Sequence, residues 1–483
     1  LQILMLKNSL ISLLFICLFV LFSTSIKAQI SPFNLTFGDS NINEKGIASL
    51  QLSDGSILMI GNTDATENNN SDISLTKFTV EGQVLWSKRY GTPNNDYANN
   101  VTWMQDGNIA IVAETHDIVG GNVDGAILVL DIEGNELWLK TYGEINVSES
   151  FYHIDQTSDN SLIVCGFVTG EGFGNDHYAT KISQEGEVLW SKAYGSQKNE
   201  TGVAIRPIND GGYFLIDDKQ QKDNTYAIEA LKLDKNGNVL WQLDINDFYN
   251  GGCKNIIINS EGDYIIVGEA SPKNGEGFEV MLIKLSHEGN LIWKKFIDGT
   301  KNGDAGFDIA ELSDSQGYIV TGYGFNSLTQ QTDVLVIQVD LEGQEIERYY
   351  YGAEGFDIAY DVIPLIDGGF WVTGSSYEGI DNQYFLAYGH PIAVNIEPLP
   401  SSKPKFMLYP NPLTNSSSIL QLGLNHPLQQ VEILLLDSSG NILLKQYHHI
   451  LENLHLPRFL TSGTYILQLN TPQNTFHQKV IIH

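Results

Sequence analysis

Short apolar runs, each closed by Gly, Asn or Asp, recur along the chain. In the stretch after Gly91 they cover Ala98–Gln105, Asn108–Ala113, Gly125–Ile132 and Glu136–Tyr142, and each is rich in β-branched, aromatic or aliphatic residues. Runs this short, bounded by turn formers, predict strands rather than helices. Two of the breaks have the chemistry of tight hairpins. Asp131-Ile132-Glu133-Gly134 puts an acid where backbone amides need an acceptor and a glycine where φ turns positive, and Asp106-Gly107-Asn108 does the same one hairpin earlier.

The same pattern returns with a fixed period. Trp86, Trp138, Trp190, Trp241 and Trp293 are spaced 52, 52, 51 and 52 residues apart, with Glu347 in the sixth place. Four residues ahead of each stands a glycine (Gly82, Gly134, Gly186, Gly237, Gly289, Gly343), and Tyr90-Gly91, Tyr142-Gly143 and Tyr194-Gly195 follow the first three. A second turn marker recurs at Asp54-Gly55, Asp106-Gly107, Asp159-Asn160, Asp210-Gly211, Glu261-Gly262, Gln316-Gly317 and Asp367-Gly368. Four-stranded units repeated seven times at this spacing predict an all-β, seven-bladed β-propeller.

A solenoid is the competing architecture, and the ends of the array decide against it. The last unit runs through Tyr384–Tyr388 and then lacks its Gly-x-x-x-Trp strand. Ser31-Pro32-Phe33-Asn34-Leu35-Thr36-Phe37-Gly38 aligns with Val84–Gly91, so the start of the mature chain is expected to complete the last blade. Such a latch removes two open sheet edges, which a solenoid would not gain.

Composition refines this picture. With 18% charged residues, 46 glycines, 22 tyrosines and 21 phenylalanines, the chain suits turns and strands. Lys7, the apolar run Leu10–Phe22 and the polar stretch ending at Ala28 read as a secretory leader over 1–28, too short in its apolar part to span a membrane, and no later segment is apolar enough to cross one. Cys165 and Cys253 fall in different repeats and are expected to be buried, unpaired thiols. The net charge of −31 is uneven: residues 403–483 carry +2 and the leader two lysines, leaving −35 on residues 29–402. That repels nucleic acid and anionic membrane, and favours solubility outside the cell, calcium, a cationic partner or a neutral glycan.

Candidate chemistry lies on the face that carries the longer connections, between the second and third strands and between blades. Glu44, Asp96, Glu149, Glu200, Asp304 and Asp357 each stand ten residues before the first turn marker, with Gly251 as the exception. Asp72, Asp124, Asp176, Glu279 and Asp333 stand fourteen before the repeat tryptophan, with Asp381 as the counterpart in the last blade. One reading is an acidic rim that binds calcium or a cationic partner. The other is that each carboxylate caps backbone amides at a strand start and so ties blade to blade. The tryptophans carry the same pair of readings, a carbohydrate platform or blade packing, while Trp103 and Trp371 break the repeat. Gly170-Glu171-Gly172-Phe173-Gly174 suits a surface loop better than a phosphate cradle. No metalloprotease, hydrolase or nucleotide-binding motif is present.

Unit by unit, the succession best seen from Asp210 to Trp241 resembles the β-propeller repeats of secreted Bacteroidetes proteins, over residues 31–394. Leu130–Trp138 is also similar to quinoprotein-type propeller repeats, but no quinone-binding residues match. After a Pro/Ser-rich linker at 395–403, the tail resembles the type IX secretion C-terminal sorting domain over 404–483. The resemblance rests on Phe406-Met407-Leu408-Tyr409-Pro410-Asn411-Pro412, the turn Asp437–Gly440, Leu460-x-x-Gly463-x-Tyr465-x-Leu467 and the terminal Lys479-Val480-Ile481-Ile482; the His-rich stretch His448–His455 departs from it. It implies a small C-terminal β-sandwich that engages the type IX machinery and delivers the cargo to the cell surface or medium. For the propeller at 29–394 the expectations are a non-enzymatic module binding a glycan, a protein or calcium as a monomer, or a polysaccharide-degrading enzyme using carboxylates on the looped face. No cofactor other than calcium is called for.

Overall fold

The computed structural model describes residues 32–391 apart from 39–41, 65–69, 117–120, 145, 171–173, 196–197, 273–276, 298–302, 313–316, 353–354 and 378–381, together with the strands of 406–482. The expected leader, the linker 395–403 and the motif residues Pro410, Asn411 and Pro412 lie outside the described residues. The chain divides into two units, 1–394 and 395–483.

The first unit is built of seven four-stranded antiparallel sheets. Blade 1 spans Glu44–Tyr90, blade 2 Asn95–Tyr142, blade 3 Glu149–Ala193, blade 4 Glu200–Ile245, blade 5 Asn250–Ile297 and blade 6 Ala305–Tyr351. Blade 7 takes three strands from Phe356–Gly389 and its fourth from the chain start, Phe33–Phe37. That strand runs antiparallel to Asn382–Gly389 in the register Phe33↔Tyr388 to Phe37↔Tyr384. First strands pack against the first strands of both neighbours, and blade 7 against blade 1, so the seven sheets form a closed ring.

The turns follow the expected chemistry. Gly55, Gly107, Gly211, Gly262, Gly317 and Gly368 have positive φ, as does Asn160 in blade 3, and so do Gly82, Gly134, Gly186, Gly237, Gly289 and Gly343 in the turn between the third and fourth strands of blades 1 to 6. At Asp131 one carboxylate oxygen accepts the backbone N–H groups of Glu133 at 3.0 Å and Asn135 at 2.7 Å. The strands of blade 2 are displaced from the expected bounds: the first is Asn95–Trp103 and the second Ile109–His116. Pairing between the second and third strands continues further into the looped face than the apolar run shows, up to His116↔Val123 here and Gly170↔Gly174 in blade 3.

The repeat tryptophans bind blade to blade. A side chain added at Gly134, Gly237, Gly289 or Gly343 would strike the tryptophan of the preceding blade, respectively Trp86, Trp190, Trp241 and Trp293, within about 3 Å. These four indoles therefore lie against the turn between the third and fourth strands of the next blade, and the turn glycine is needed for space as well as for φ. The tyrosine four residues on completes the joint, with the hydroxyls of Tyr90, Tyr142 and Tyr194 donating to the carbonyls of Gly134 (2.6 Å), Gly186 (3.1 Å) and Gly237 (2.9 Å). Trp371 is fully buried under the closing strand and donates its indole N–H to Thr373. Trp103 packs at the junction of blades 1 and 2. Cys165 and Cys253 are free and buried.

The second unit forms two sheets. Phe406–Tyr409, Ile419–Leu424 and Asn453–His455 make one; Ile442–Leu451, Leu428–Leu436, Gly463–Asn470 and Thr475–Ile482 make the other, in that spatial order. Among the motif residues, Tyr409 pairs with Gln421, and Gly463 and Tyr465 pair with Ile482 and Val480. Lys479 lies opposite Ile466.

Candidate functional site

The six recurring carboxylates Glu44, Asp96, Glu149, Glu200, Asp304 and Asp357 all stand at or next to the start of a first strand, and all are buried. Asp96 accepts the Thr92 backbone N–H at 2.6 Å and the Thr115 hydroxyl at 2.6 Å. Asp304 accepts the Phe325 backbone N–H at 3.1 Å, and the Thr63 hydroxyl donates to Glu44 at 3.4 Å. The second acidic series meets the first at the glycine of Tyr-Gly: a side chain at Gly91 would strike both Asp72 and Asp96, and one at Gly352 both Asp333 and Asp357. Burial and the neighbouring Asp96 hold the Asp72 carboxyl above its usual range, and burial with Glu144 and Asp124 does the same for Glu149. The first series therefore lies inside the fold, and at Gly91 and Gly352 it meets the second series beside the crossing to the next blade.

The axis offers different chemistry. Each first strand carries one extra residue at the same register, a β-bulge after Gly46, Ala98, Phe151, Gly202, Cys253, Gly306 and Ala359. The extra residues are Ile47, Asn99, Tyr152, Val203, Lys254, Phe307 and Tyr360, all partly exposed. A bulge turns the strand and re-aims a side chain at the rim of a barrel or site. Three of them meet across blades 5, 6 and 7: the Lys254 ammonium lies 5.5 Å from the Phe307 ring centre, and Phe307 meets Tyr360 edge-on at 5.5 Å. Tyr323 flanks Phe307 at 5.9 Å and Phe356, itself exposed, at 6.0 Å. Glu269 holds Lys254 at 3.2 Å. An aromatic wall with one cation at its end thus borders the looped-face mouth of the axis.

One residue further along the first strand stand Asn100, His153, Asn255, Asp308 and Asp361 in blades 2, 3, 5, 6 and 7, a partial polar belt interrupted by Ala48 in blade 1 and Ala204 in blade 4. Asn255 donates to Asp308 at 2.5 Å, and Asp308 accepts the Val362 backbone N–H at 2.8 Å. Arg206 spans three blades, 3.4 Å from Asp155 and from Asn255 Oδ1 and 2.9 Å from the Ile256 carbonyl. Burial pushes the Asp308 carboxyl up to about 6, and burial with the adjacent Asp308 pushes Asp361 well above the carboxylate range. His153, at the same register in blade 3, is held well below its usual value by burial and by Arg206. Sequence reasoning missed this belt, because the apolar pattern of the first strand hides an extra residue that only strand pairing reveals.

Residues 407–483 match the family model described as the secretion system C-terminal sorting domain. No curated protein matches the chain. Among solved structures, virginiamycin B lyase of Staphylococcus aureus aligns at 13% identity over 74% of this chain and 99% of its own, with a TM-score of 0.48. PorZ, a surface component of the type IX secretion system of Porphyromonas gingivalis, aligns at 12% over 89% of this chain and 68% of its own, at 0.33. An α-L-arabinanase of Penicillium chrysogenum aligns at 9% over 75% and 98%, at 0.43. The chain carries a type IX sorting domain, engages that secretion machinery through it, and reaches the outer surface or the extracellular space. Among the described residues no helix is long and apolar enough to cross a membrane.

Proposed function

We propose that the propeller is a non-enzymatic binding module that takes a glycan at the looped-face mouth of its axis. The leader 1–28 brings the chain to the periplasm, and the tail from 404 carries residues 29–394 through the outer membrane. The observation that supports the binding reading is the wall formed by Phe307, Tyr323, Phe356 and Tyr360 with Lys254. Aromatic faces stack on the C–H faces of sugar rings while their polar edges hydrogen-bond hydroxyls. The recurring carboxylates support it in the negative sense, since they are buried and engaged by backbone amides and hydroxyls.

The test is a glycan array probed with the full mature chain, with and without calcium, beside the variants Tyr360→Ala and Phe307→Ala. Loss of a discrete glycan signal in both variants, with unchanged thermal midpoints, supports the reading. Glycan binding untouched by either variant refutes it.

A second reading, a polysaccharide-degrading enzyme, is favoured by one observation, the neighbouring buried acids Asp308 and Asp361 with the Arg206 charge close by. Two neighbouring carboxyls, both raised by burial and one of them the more strongly, are the kind of pair that supplies an acid and a base. Turnover in a hydrolase panel that disappears in Asp361→Asn would favour it.

A further inference from the structure

Three residues that break the repeat converge between blades 3 and 4. His177, on the third strand of blade 3, stands where the other blades have Ile73, Gly125, Ile228, Val280, Val334 and Tyr384. Asp217, on the second strand of blade 4, stands where they have Gly61, Ala113, Gly166, Gly268, Gly322 and Gly374. Glu229, on the next strand, replaces Ser74, Ala126, Tyr178, Met281, Leu335 and Phe385. The Asp217 position is sterically costly in most blades: a Cβ at Gly61, Gly166, Gly268, Gly322 or Gly374 would lie between 1.9 and 2.3 Å from a first-strand carbonyl oxygen. Blade 4 alone makes room there for a carboxylate.

The three side chains are almost wholly withdrawn from solvent, His177 at 0%, Asp217 at 0% and Glu229 at 3% exposure. His177 Nδ1 faces the Asp217 carboxylate, and its Nε2 lies 3.8 Å from Glu229 Oε2. Neither ring nitrogen nor either Asp217 oxygen makes a hydrogen bond of acceptable geometry. Buried polar atoms without such bonds are rare and costly. The other Glu229 oxygen is held by Lys219 and by Gln242 at 2.5 Å, which leaves Oε2 turned to the histidine. Lys219 is shared with Asp244, so the pocket keeps excess negative charge.

We propose that His177, Asp217 and Glu229 hold one divalent cation of the zinc class, which staples blade 3 to blade 4. One donor atom from each residue lies within 4.8 Å of the others, and ligands about 2.0–2.2 Å from zinc stand about 3.3–3.6 Å apart on a tetrahedral edge. An imidazole with two carboxylates suits a borderline ion such as zinc, whereas calcium seeks six to eight oxygens. The cation also neutralises the two buried carboxylates, which Lys219 alone does not. The site stands apart from the axial mouth and is independent of what that mouth binds.

The full mature chain, unfolded in chelator and refolded with zinc, calcium or neither, is compared with the double variant His177→Val, Asp217→Gly, which restores residue types used at these places by other blades. After gel filtration the wild type is expected to retain about one zinc per chain and no calcium, and to unfold several degrees higher with zinc than without. The variant is expected to fold, to lose that zinc and to show no zinc-dependent shift. Equal zinc on both chains, as binding by the tail histidines would give, or no zinc on a correctly folded wild type, overturns the proposal.

Discussion

Phe33 stacks on Tyr388, ring centres 5.7 Å apart and planes 16° from parallel, although the two residues lie at opposite ends of the propeller sequence. Phe37 repeats the arrangement on Tyr384 at 4.9 Å and meets Phe78 of blade 1 edge-on at 5.2 Å. The closing strand thus joins blade 7 through its backbone and blade 1 through its rings. Phe37→Ala is expected to lower stability by about 2–3 kcal/mol, below the range for a fully buried phenylalanine because Phe37 is only partly buried. Thermal and denaturant unfolding of the mature chain measure it.

The two glycine series should respond differently to alanine. Gly107 has φ 88° and no atom near the added Cβ, so Gly107→Ala meets only the backbone cost, about 1 kcal/mol. Gly134 has φ 72°, and a Cβ there would meet the Tyr90 hydroxyl at 2.8 Å and Trp86 at 3.0 Å. Gly134→Ala is expected to cost about 2 kcal/mol or more, and to change near-ultraviolet dichroism as the Trp86 indole shifts.

At the next joint, Tyr142→Phe removes one hydroxyl from the Gly186 carbonyl while keeping the ring. A loss of about 1 kcal/mol is expected, the usual net value of such a bond. Double-mutant cycles with the Tyr194 joint should be additive, since each hydroxyl serves a separate pair of blades.

Asp218 supplies a pH signature. Burial pushes its carboxyl up to about 6, against the lowering effects of Lys254 and of the Cys253 backbone N–H it accepts at 2.8 Å. A folded-state value above the unfolded one makes the contribution to stability full below about pH 4 and lost as pH rises through 6. Its partial exposure keeps the effect to about 1–2 kcal/mol. Asp218→Asn, which keeps an acceptor for Cys253, should flatten the stability profile between pH 4 and 6 relative to wild type.

The ring itself was legible because a propeller repeats its turn chemistry. Gly134, Trp86 and Tyr90 recur at fixed spacing since a hairpin glycine against an indole, a tyrosine hydroxyl, or both recur at successive joints, and Phe33–Phe37 carries the apolar spacing of the missing fourth strand. The carboxylate columns were legible as positions but not as environments, because burial depends on the glycine each acid wraps, as Asp72 and Asp96 wrap Gly91. Lys254, Phe307 and Tyr360 could not be aligned as one ring without the bulges that single them out. His177, Asp217 and Glu229 left a trace, three polar residues in columns that are otherwise mostly apolar or glycine, but their meeting needs the packing of two blades.

Amide hydrogen exchange on the mature chain, read at residues 33–37 and 384–388, tests the closed ring most directly. Hydrogen-bonded pairing from Phe33↔Tyr388 to Phe37↔Tyr384 predicts that both segments share the slow exchange of the blade cores and are released together on global unfolding. Exchange of residues 33–37 at the rate of an unstructured peptide, while 384–388 stays protected, would contradict it.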